Sequence, residues 1–500
     1  MLDRFIKANK VTRRKMPTAL VASGLALISC SAFGQLQVDK GTADHPLAHS
    51  PSLSQTGFVI KGKQLSLSQA VNICLATSRL LVAAKANLYI FQGRTAEAYA
   101  ALNPTLKGNL SAVKLNDSVH NKTLTVLDPH NFDNPIGANV VTSNVQQKFV
   151  GVTANLPIDI SGTIRSATTL AKFQELGYRL DIDRTRNQIV ADVKAAFYAV
   201  LRAKALVMVA AEDLKNSKDR LEDAQDRLAA KVVTKFDVLR AQTDMASAEQ
   251  NLIVAKNVVQ TNTALLNATI GVKIDDAVEL SGDDAIQMPQ TDSADAASSN
   301  GLGPMYDADL KEALNNRPEI QEATAFEQAA KKGIDLSRRS ELPSLNLSWS
   351  YLYAPNAGGS TPLYHTWQAQ ALFSIPIFDA GVARARMKEA KGSLAQAQIA
   401  RRQAEDQVTL ETQQAYLAVQ VSKQRVQVAD AILDEANEAF ALAKVRYKAG
   451  VSSRAGLSPL LELSDSQTAL TIAETNRVNA LYDYNSALAG LDRALGHFAH

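Results

Sequence analysis

Apolar residues recur every seven positions from Ile189 to Leu228, in two columns that differ in side-chain size. The large column is Val193, Val200, Val207, Leu214, Leu221 and Leu228, and the mostly small column is Ile189, Ala196, Ala203, Ala210, Ser217 and Ala224. Two such columns form the seam of a coiled coil. The pattern therefore predicts a long helix that packs on other long helices.

The same double column occurs a second time, 219 positions further along the chain. The large column is then Thr412, Val419, Val426, Leu433, Phe440 and Tyr447, and the small one is Val408, Ala415, Ser422, Ala429, Ala436 and Ala443. The offset of 219 positions is the same for all six residues of each column, which indicates an internal duplication. Any function of the chain must use two copies of a very long helix.

A period of two replaces the period of seven at two places in each copy, which predicts pairs of β-strands. In the second copy the hairpin covers about 344–375, and its apolar positions alternate with Asn, Ser, Thr and Gln. The first hairpin, over about 104–156, alternates less clearly, and we expect a polar surface loop over about 116–144. Leu156-Pro157-Ile158 and Ile375-Pro376-Ile377, again 219 positions apart, mark the ends of the returning strands.

Breaks in these patterns define the organisation of the chain. From Thr163 to about Ala229 there is no proline, and at 1.5 Å per residue such a helix is about 100 Å long. A further helix is expected from about Ser66 towards Ala101. The predicted parts are a signal peptide at 1–34, an extended leader at 35–63, a first repeat at 64–271, a linker at 272–306 and a second repeat at 307–496.

The first 34 residues have the features of a secretion signal. Basic residues precede an apolar segment from Thr18 to Ile28, and Ala32-Phe33-Gly34 offers small residues for cleavage. We favour cleavage after Gly34; the alternative is a lipoprotein signal, in which Leu27-Ile28-Ser29 precedes Cys30 and Cys30 would carry the lipid. Both routes of processing stay open, and both take the mature chain out of the cytoplasm.

Charge and motif content limit the possible functions. Removal of residues 1–34 takes away six basic residues and one acidic residue, so the net charge changes from +3 to −2. No nucleic-acid partner is therefore expected. The chain contains no Gly-x-Ser-x-Gly, phosphate-binding glycine loop, Cys-x-x-Cys or His-Glu-x-x-His motif. We expect no enzyme activity, no cofactor and no metal site.

The aromatic residues of the second hairpin indicate a membrane surface. Strands of about nine or ten residues with one apolar face and aromatic residues near the ends are typical of transmembrane strands. The candidate membrane-belt residues are Trp349, Tyr351, Tyr353, Trp367 and Phe373. A half-buried soluble hairpin is the alternative. Four strands do not close a barrel, whereas three copies would supply twelve, so the pattern favours an oligomer.

Taken together, these features resemble the TolC family of outer-membrane efflux proteins over about residues 64–496. The resemblance rests on the two-fold repeat, on Leu156-Pro157-Ile158 and Ile375-Pro376-Ile377-Phe378, and on Arg446-Tyr447-Lys448-Ala449-Gly450-Val451 at a helix tip. It implies a mostly α-helical homotrimer in which duplicated coiled-coil hairpins form a helical barrel in the periplasm. Four strands per protomer would contribute to a twelve-stranded transmembrane β-barrel among outer-membrane lipid.

The resemblance also implies roles for residues at the helix tips. Asp237 and Tyr447 correspond to residues that hold the periplasmic aperture closed, although Thr234 and Asp237 also fit a simple helix cap. Arg454 lies near the family's basic lock residue but out of register, and Glu462 is the carboxylate nearest to the family's acidic constriction. The expected adaptor-docking residues are Ala230, Lys231, Val232, Val233, Gly450, Val451 and Ser452.

The function implied is that of an outer-membrane channel in a tripartite efflux or secretion system. Such a channel is a passive duct across the outer membrane and periplasm of a Gram-negative-type cell. Its partners would be a periplasmic adaptor (membrane fusion) protein and an inner-membrane efflux pump, whose docking opens it. The alternative is a periplasmic coiled-coil adaptor or scaffold protein without a channel.

Overall fold

The computed structural model of the chain describes residues 64–114, 124–128, 131–138, 146–274, 279–281, 288, 304–353, 365–451 and 459–497. The predicted signal peptide, the leader and most of the linker at 272–306 lie outside the described residues. So do three candidate site residues, Cys30, Ser452 and Arg454.

Eight helices account for most of the described residues, and their bounds follow the predicted repeat. They are α1 (Leu67–Thr77), α2 (Arg79–Ala100), α3 (Thr163–Ala229), α4 (Lys235–Ile270), α5 (Pro304–Asn316), α6 (Pro318–Arg339), α7 (Val382–Ala449) and α8 (Pro459–Leu495). The long helices α3 and α7 contain 67 and 68 residues. The prediction of two long, equivalent helices is therefore confirmed.

The single helix expected from Ser66 to Ala101 is wrong, because Ser78 divides it into α1 and α2. Ser78 adopts an extended conformation, and its side chain accepts a hydrogen bond from the Leu81 amide, which caps the second helix. The two helices meet at a bend of 44°. Within the described ranges no helix by itself has the length and low charge of a membrane span, and only α1 and α2 taken together meet that criterion.

One four-stranded antiparallel sheet is formed by strands from both repeats. It contains β2 (Thr105–Lys114), β5 (Gln146–Ile158), β7 (Ser344–Tyr353) and β8 (His365–Ser374), in the order β2-β5-β7-β8. The first repeat also contains a separate hairpin of β3 (Leu124–Asp128) and β4 (Asn131–Ala138), so the polar loop expected over 116–144 is partly strand. A short parallel pair joins β1 (Gln64–Leu65) to β6 (Glu279–Leu280).

The register of the sheet places the alternating apolar residues of all four strands on one face. Trp349 lies opposite Ala154 on β5 and Ala369 on β8, and Tyr351 lies opposite Val152 and Trp367. Since successive residues of a strand point to opposite faces, the Asn, Ser, Thr and Gln positions share the other face. The alternation predicted from the sequence thus becomes one apolar surface across both repeats.

The helices follow the same order as the strands to which they connect. α2 leads into β2, β5 leads into α3, α6 leads into β7, and β8 leads into α7. α3 packs against both α2 and α6, and α6 packs against α7. The layer of helices α2-α3-α6-α7 is therefore a direct continuation of the sheet order β2-β5-β7-β8.

The heptad columns form the contacts between helices. Val193, Val200 and Ala203 on α3 are buried, as are Val408 and Val426 on α7. The largest cluster brings α3 together with α1, α4 and α8 around the fully buried ring of Phe197. Burial of the large and small columns thus supplies the packing that the sequence pattern predicted.

Candidate functional site: the helix tips

The four longest helices converge at their ends furthest from the sheet. The turn between α3 and α4 lies beside the end of α7 and the start of α8. The buried residues of this tip cluster are Ala224, Ala241, Ala443, Tyr447, Leu460 and Leu463, with Leu221, Val238 and Phe440 packed around them. Because this cluster contains residues of the α3–α4 pair and of the α7–α8 pair, it couples the position of one helix pair to that of the other.

Tyr447 is the centre of the contact between α7 and α3. The guanidinium carbon of Arg227 lies 4.1 Å from the centroid of the Tyr447 ring, and Arg227 Nη1 donates to the Tyr447 carbonyl at 3.1 Å. Arg227 Nε also pairs with Asp223 Oδ2 at 3.2 Å. Burial, followed by the Asp223 carboxylate, raises the pKa of Tyr447 well above its usual range, so the phenol stays neutral.

Asp237 acts as a cap and also lies near Tyr447. Its carboxylate accepts from the Thr234 amide at 3.0 Å and from Thr234 Oγ1 at 2.7 Å, while its own amide donates to Thr234 Oγ1 at 3.4 Å. This is the reciprocal capping pattern that the sequence predicted. The Asp237 charge is also near enough to contribute to the raised pKa of Tyr447. The structure therefore brings the two candidate lock residues into one electrostatic environment.

Glu462 lies on α8 and pairs across to α7. Arg446 Nη1 donates to Glu462 Oε1 at 2.7 Å, and the Glu462 side chain is largely shielded. The basic partner at this tip is thus Arg446, next to Tyr447. Arg446 was named only as part of the tip motif, without a role, and Arg227 and Asp223 were not anticipated from the sequence. The only available signal was the repeat itself, which sets Leu228 of α3 equivalent to Tyr447 of α7.

A second layer of polar contacts lies one to three turns above the tip cluster. Gln467 on α8 donates to Asp213 Oδ1 at 2.9 Å, and Thr471 donates to the same oxygen at 3.2 Å. Ser464 donates to Asp244 Oδ2 on α4 at 2.8 Å. These bonds join the α3–α4 pair to α8, so separation of the two helix pairs would break them together with the Arg227–Tyr447 contact.

The two tips share one turn geometry built from different residues. Lys231 has φ 59° and Gly450 has φ 70°, both in the left-handed region. The Val232 amide donates to the Arg227 carbonyl at 2.9 Å, and the Val451 amide donates to the Arg446 carbonyl at 3.0 Å. The turns thus close with equivalent hydrogen bonds 219 positions apart. Ala230, Lys231, Val232, Gly450 and Val451 are exposed, and Val233 is half-buried.

The other predicted surface, the aromatic belt, lies at the opposite end of the molecule on β7 and β8. Trp349, Trp367 and Phe373 are exposed on the apolar face of the sheet. Tyr351 and Tyr353 cluster with His365, whose Nδ1 lies 2.6 Å from the Tyr351 hydroxyl and whose ring stacks on Tyr353 at 4.9 Å. The polar contact made by His365 was not anticipated from the sequence.

Comparison with known protein families gives a match over nearly all of the described chain. The family model described as "Outer membrane efflux protein" matches residues 70–272 and 310–497. The two matched segments overlap the repeats predicted at 64–271 and 307–496.

Curated relatives have names consistent with that family. The chain is 24% identical over 400 residues to the probable efflux pump outer membrane protein TtgC of Pseudomonas putida, covering 75% of this chain and 74% of TtgC. It is 24% identical over 439 residues to the pyoverdine export outer membrane protein OpmQ of Pseudomonas aeruginosa, covering 86% and 85%. These matches favour the channel interpretation over the scaffold alternative.

Solved structures confirm the fold. The outer membrane protein VceC of Vibrio cholerae superposes with a TM-score of 0.66 at 19% identity, over 86% of this chain and 96% of VceC. The CmeC outer membrane channel of Campylobacter jejuni gives a TM-score of 0.67 at 16% identity, over 86% and 85%. The arrangement of long helices and a small sheet is therefore that of known outer-membrane channels.

Proposed function

This chain belongs to the outer membrane efflux protein family, and we propose that three copies of it form a passive export duct whose periplasmic end is closed by the helix tips. As a member of that family it is an outer-membrane efflux channel, with its helical portion in the periplasm.

The observation that carries the proposal is the incomplete sheet. Its apolar face spans all four strands, yet β2 and β8 each have an edge with no partner among the described strands. An unpaired edge is incompatible with a lipid environment, because its backbone groups lack hydrogen bonds there. Three copies joined edge to edge would give twelve strands in a closed barrel with a water-filled interior.

The helices support the same stoichiometry. Because their order follows that of the strands, three copies would continue the strand barrel as a ring of helices. Exposed apolar residues remain on α4 and α7 after folding of one copy, among them Ile253 and Val258 on α4 and Val428 and Ile432 on α7. Contact between neighbouring copies would bury these side chains.

We assign the closing contact to Tyr447 with Arg227 and Asp223, supported by Asp237. Opening then requires α7 and α8 to move away from α3 and α4. That movement would separate the Arg227 guanidinium from the Tyr447 ring and carbonyl, and would break the bonds of Gln467 and Ser464 described above. The chain performs no chemical reaction in this scheme, so the energy for transport comes from partner proteins.

The partners would be a periplasmic adaptor and an inner-membrane efflux pump. The tip residues Val232 and Val451 are exposed and apolar, as are Phe236 and Val445 close to them. A ring of apolar tips is suited to helical hairpins of an adaptor, which would bind through apolar side chains in a groove. Photo-crosslinkers at Val232 and Val451 should capture the adaptor in cells, whereas a crosslinker at Ile472, an exposed residue away from the tips, should not.

Two measurements test the assembly. The purified mature protein should migrate as a heat-modifiable trimer from the outer-membrane fraction, and it should give discrete conductance steps in planar bilayers. A stable monomer in buffer without detergent would contradict the proposal. If trimers form but show no conductance, even after substitution of Tyr447, the proposed trimeric state would stand. The proposal that the trimer is an open duct would be wrong.

A further inference from the structure

Exposed apolar side chains occur at every junction between a helix and the four-stranded sheet. They are Tyr99 before β2, Ile160 after β5, Leu342 before β7 and Phe378 after β8. Phe378 is 89% exposed and its neighbour Ile377 is 96% exposed. These residues, here called the junction belt, adjoin the ends of the four strands, so a lipid phase around the sheet would reach them.

Basic residues lie within about two turns of each member of the junction belt. Lys172 places Nζ 4.9 Å from the centroid of the Tyr99 ring. Arg165 follows Ile160 by five positions, Arg338 precedes Leu342 by four, and Arg384 follows Phe378 by six. An apolar residue with a basic residue just outside it is the arrangement that suits a membrane interface, with rings among acyl chains and cations among headgroups.

The first three turns of α7 concentrate this positive charge on one side. Arg384, Lys388 and Lys391 are spaced by four and three residues, so they share one face of the helix. All three are exposed. At 1.5 Å per residue they lie within about 15 Å of the start of the helix, close to the edge of the sheet.

Two aspartates at the junctions already accept hydrogen bonds from the backbone. Asp379 accepts from the Gly381 amide at 2.9 Å and the Ala383 amide at 2.6 Å, and these hydrogen bonds hold its pKa below the usual range. Asp159 likewise accepts from the amides of Ile164 and Arg165. Among the described residues Lys388 and Lys391 form no ion pair, so their charges are available to a ligand.

We infer that the junction belt and the basic face of α7 bind anionic phospholipids of the periplasm-facing leaflet. The acyl chains would lie along the apolar face of the sheet, and Arg384, Lys388 and Lys391 would hold the headgroup phosphate. Charge complementarity and continuity with the lipid-facing sheet both favour this occupant. The inference rests on the outer-membrane placement in the proposed function but not on the closing contact at the tips.

The test compares lipid selectivity of two matched triple variants. Detergent-purified trimer is offered equal amounts of phosphatidylglycerol and phosphatidylcholine, and bound lipids are counted by native mass spectrometry. One variant is R384Q/K388Q/K391Q, and the control is R402Q/R425Q/K444Q, which removes three exposed basic residues further down the same helix. Since each basic residue at an anionic surface contributes roughly a factor of five, the belt variant should lose at least about tenfold in phosphatidylglycerol preference.

Retained preference in the control and loss in the belt variant would support the inference. Equal loss in both variants, or no preference for phosphatidylglycerol in the wild-type protein, would overturn it. If the triple substitution dissociates the trimer, the lipids bound to the monomers do not report on the belt. In that event the single variant K388Q decides, because it should weaken the preference about fivefold while the trimer persists. Conductance in bilayers should be unchanged in the belt and control variants. Failure of the lipid-binding inference can therefore be distinguished from failure of the proposed duct.

Discussion

The α-carbon of Gly177 in α3 lies directly under the ring of Phe326 in α6. A β-carbon at position 177 would be 2.8 Å from Phe326 Cζ, much closer than such atoms approach in proteins. Phe326 also meets Tyr178 edge to face at 5.7 Å, and Tyr178 stacks on Phe91 at 3.8 Å. The glycine therefore sets how closely α3 and α6 approach below the sheet.

Gly177→Ala should destabilise the protein despite the better helix propensity of alanine. Overpacking costs about 1–3 kcal/mol, against a gain of about 1 kcal/mol from propensity. The net effect should appear as a lower melting temperature of the purified protein. Gly392→Ala is the matched control, because nothing lies within 4 Å of its added carbon, and it should raise the melting temperature slightly. Phe326→Leu combined with Gly177→Ala should recover part of the loss.

Substitutions at Tyr447 should open the channel according to how much of the ring they remove. Tyr447→Ala deletes the surface under Arg227, whereas Tyr447→Phe keeps the stacking and loses only the hydroxyl. We expect single-channel conductance to increase strongly in the alanine variant and weakly in the phenylalanine variant, with Arg227→Gln between them. Unchanged conductance in Tyr447→Phe combined with Asp237→Ala would remove both residues from the closing contact.

The two turns at the tips predict opposite effects of reciprocal substitutions. Lys231 is in the left-handed region, where a side chain costs about 1 kcal/mol, while glycine already occupies that conformation at Gly450. Lys231→Gly should therefore stabilise its tip and Gly450→Ala should destabilise the other, each by about 1 kcal/mol. Hydrogen exchange of the neighbouring amides measures both. Equal protection in the two variants would contradict this account.

Glu322 should make stability depend on pH near neutrality. Burial is the main cause that raises its pKa to about 7, and it outweighs the attraction of Arg184, whose Nε lies 3.3 Å away. The folded state then binds more protons than the unfolded state between the ordinary carboxyl pKa and about 7, so stability falls as the pH rises through this window.

Glu322→Gln should remove that dependence. The variant should be more stable than the wild-type protein at pH 8, by about 1 kcal/mol after allowance for solvent screening, and similar to it at pH 5. Melting temperatures across this range provide the measurement. Glu341→Gln, at an exposed position before β7, serves as the control. A wild-type curve that rises from pH 5 to pH 8 relative to the Gln variant would refute the assigned direction.

The long helices and the sheet were predictable because their patterns extend over many residues. Seven-residue spacing and the absence of proline located α3 and α7, and alternation in β7 and β8 located the apolar face. The break at Ser78 was not predictable from periodicity, since apolar residues continue on both sides of it. The hairpin β3–β4 was missed because its composition is that of a polar loop.

The tip residues were predictable only in part. The resemblance placed Tyr447 and Asp237, and the structure brings them into one environment. Arg227 and Asp223 read as an ordinary pair four residues apart on a solvated helix face. Their contact with Tyr447 depends on α7 lying across them, a long-range relationship that no local pattern contains. The ion pair between Glu462 and Arg446 likewise became visible only from their positions in the structure.

The shared turn geometry at Lys231 and Gly450 has a consequence for how a partner is received. In the proposed trimer the tips would form six docking positions of nearly the same backbone shape and of two alternating kinds, three with Lys231 at the bend and three with Gly450. Repeated hairpins of a partner would therefore meet quasi-equivalent sites whose positive charge is placed differently, at Lys231 in one kind and at Lys448, two residues before Gly450, in the other. The same partner surface would have to accept both placements, and salt would screen both.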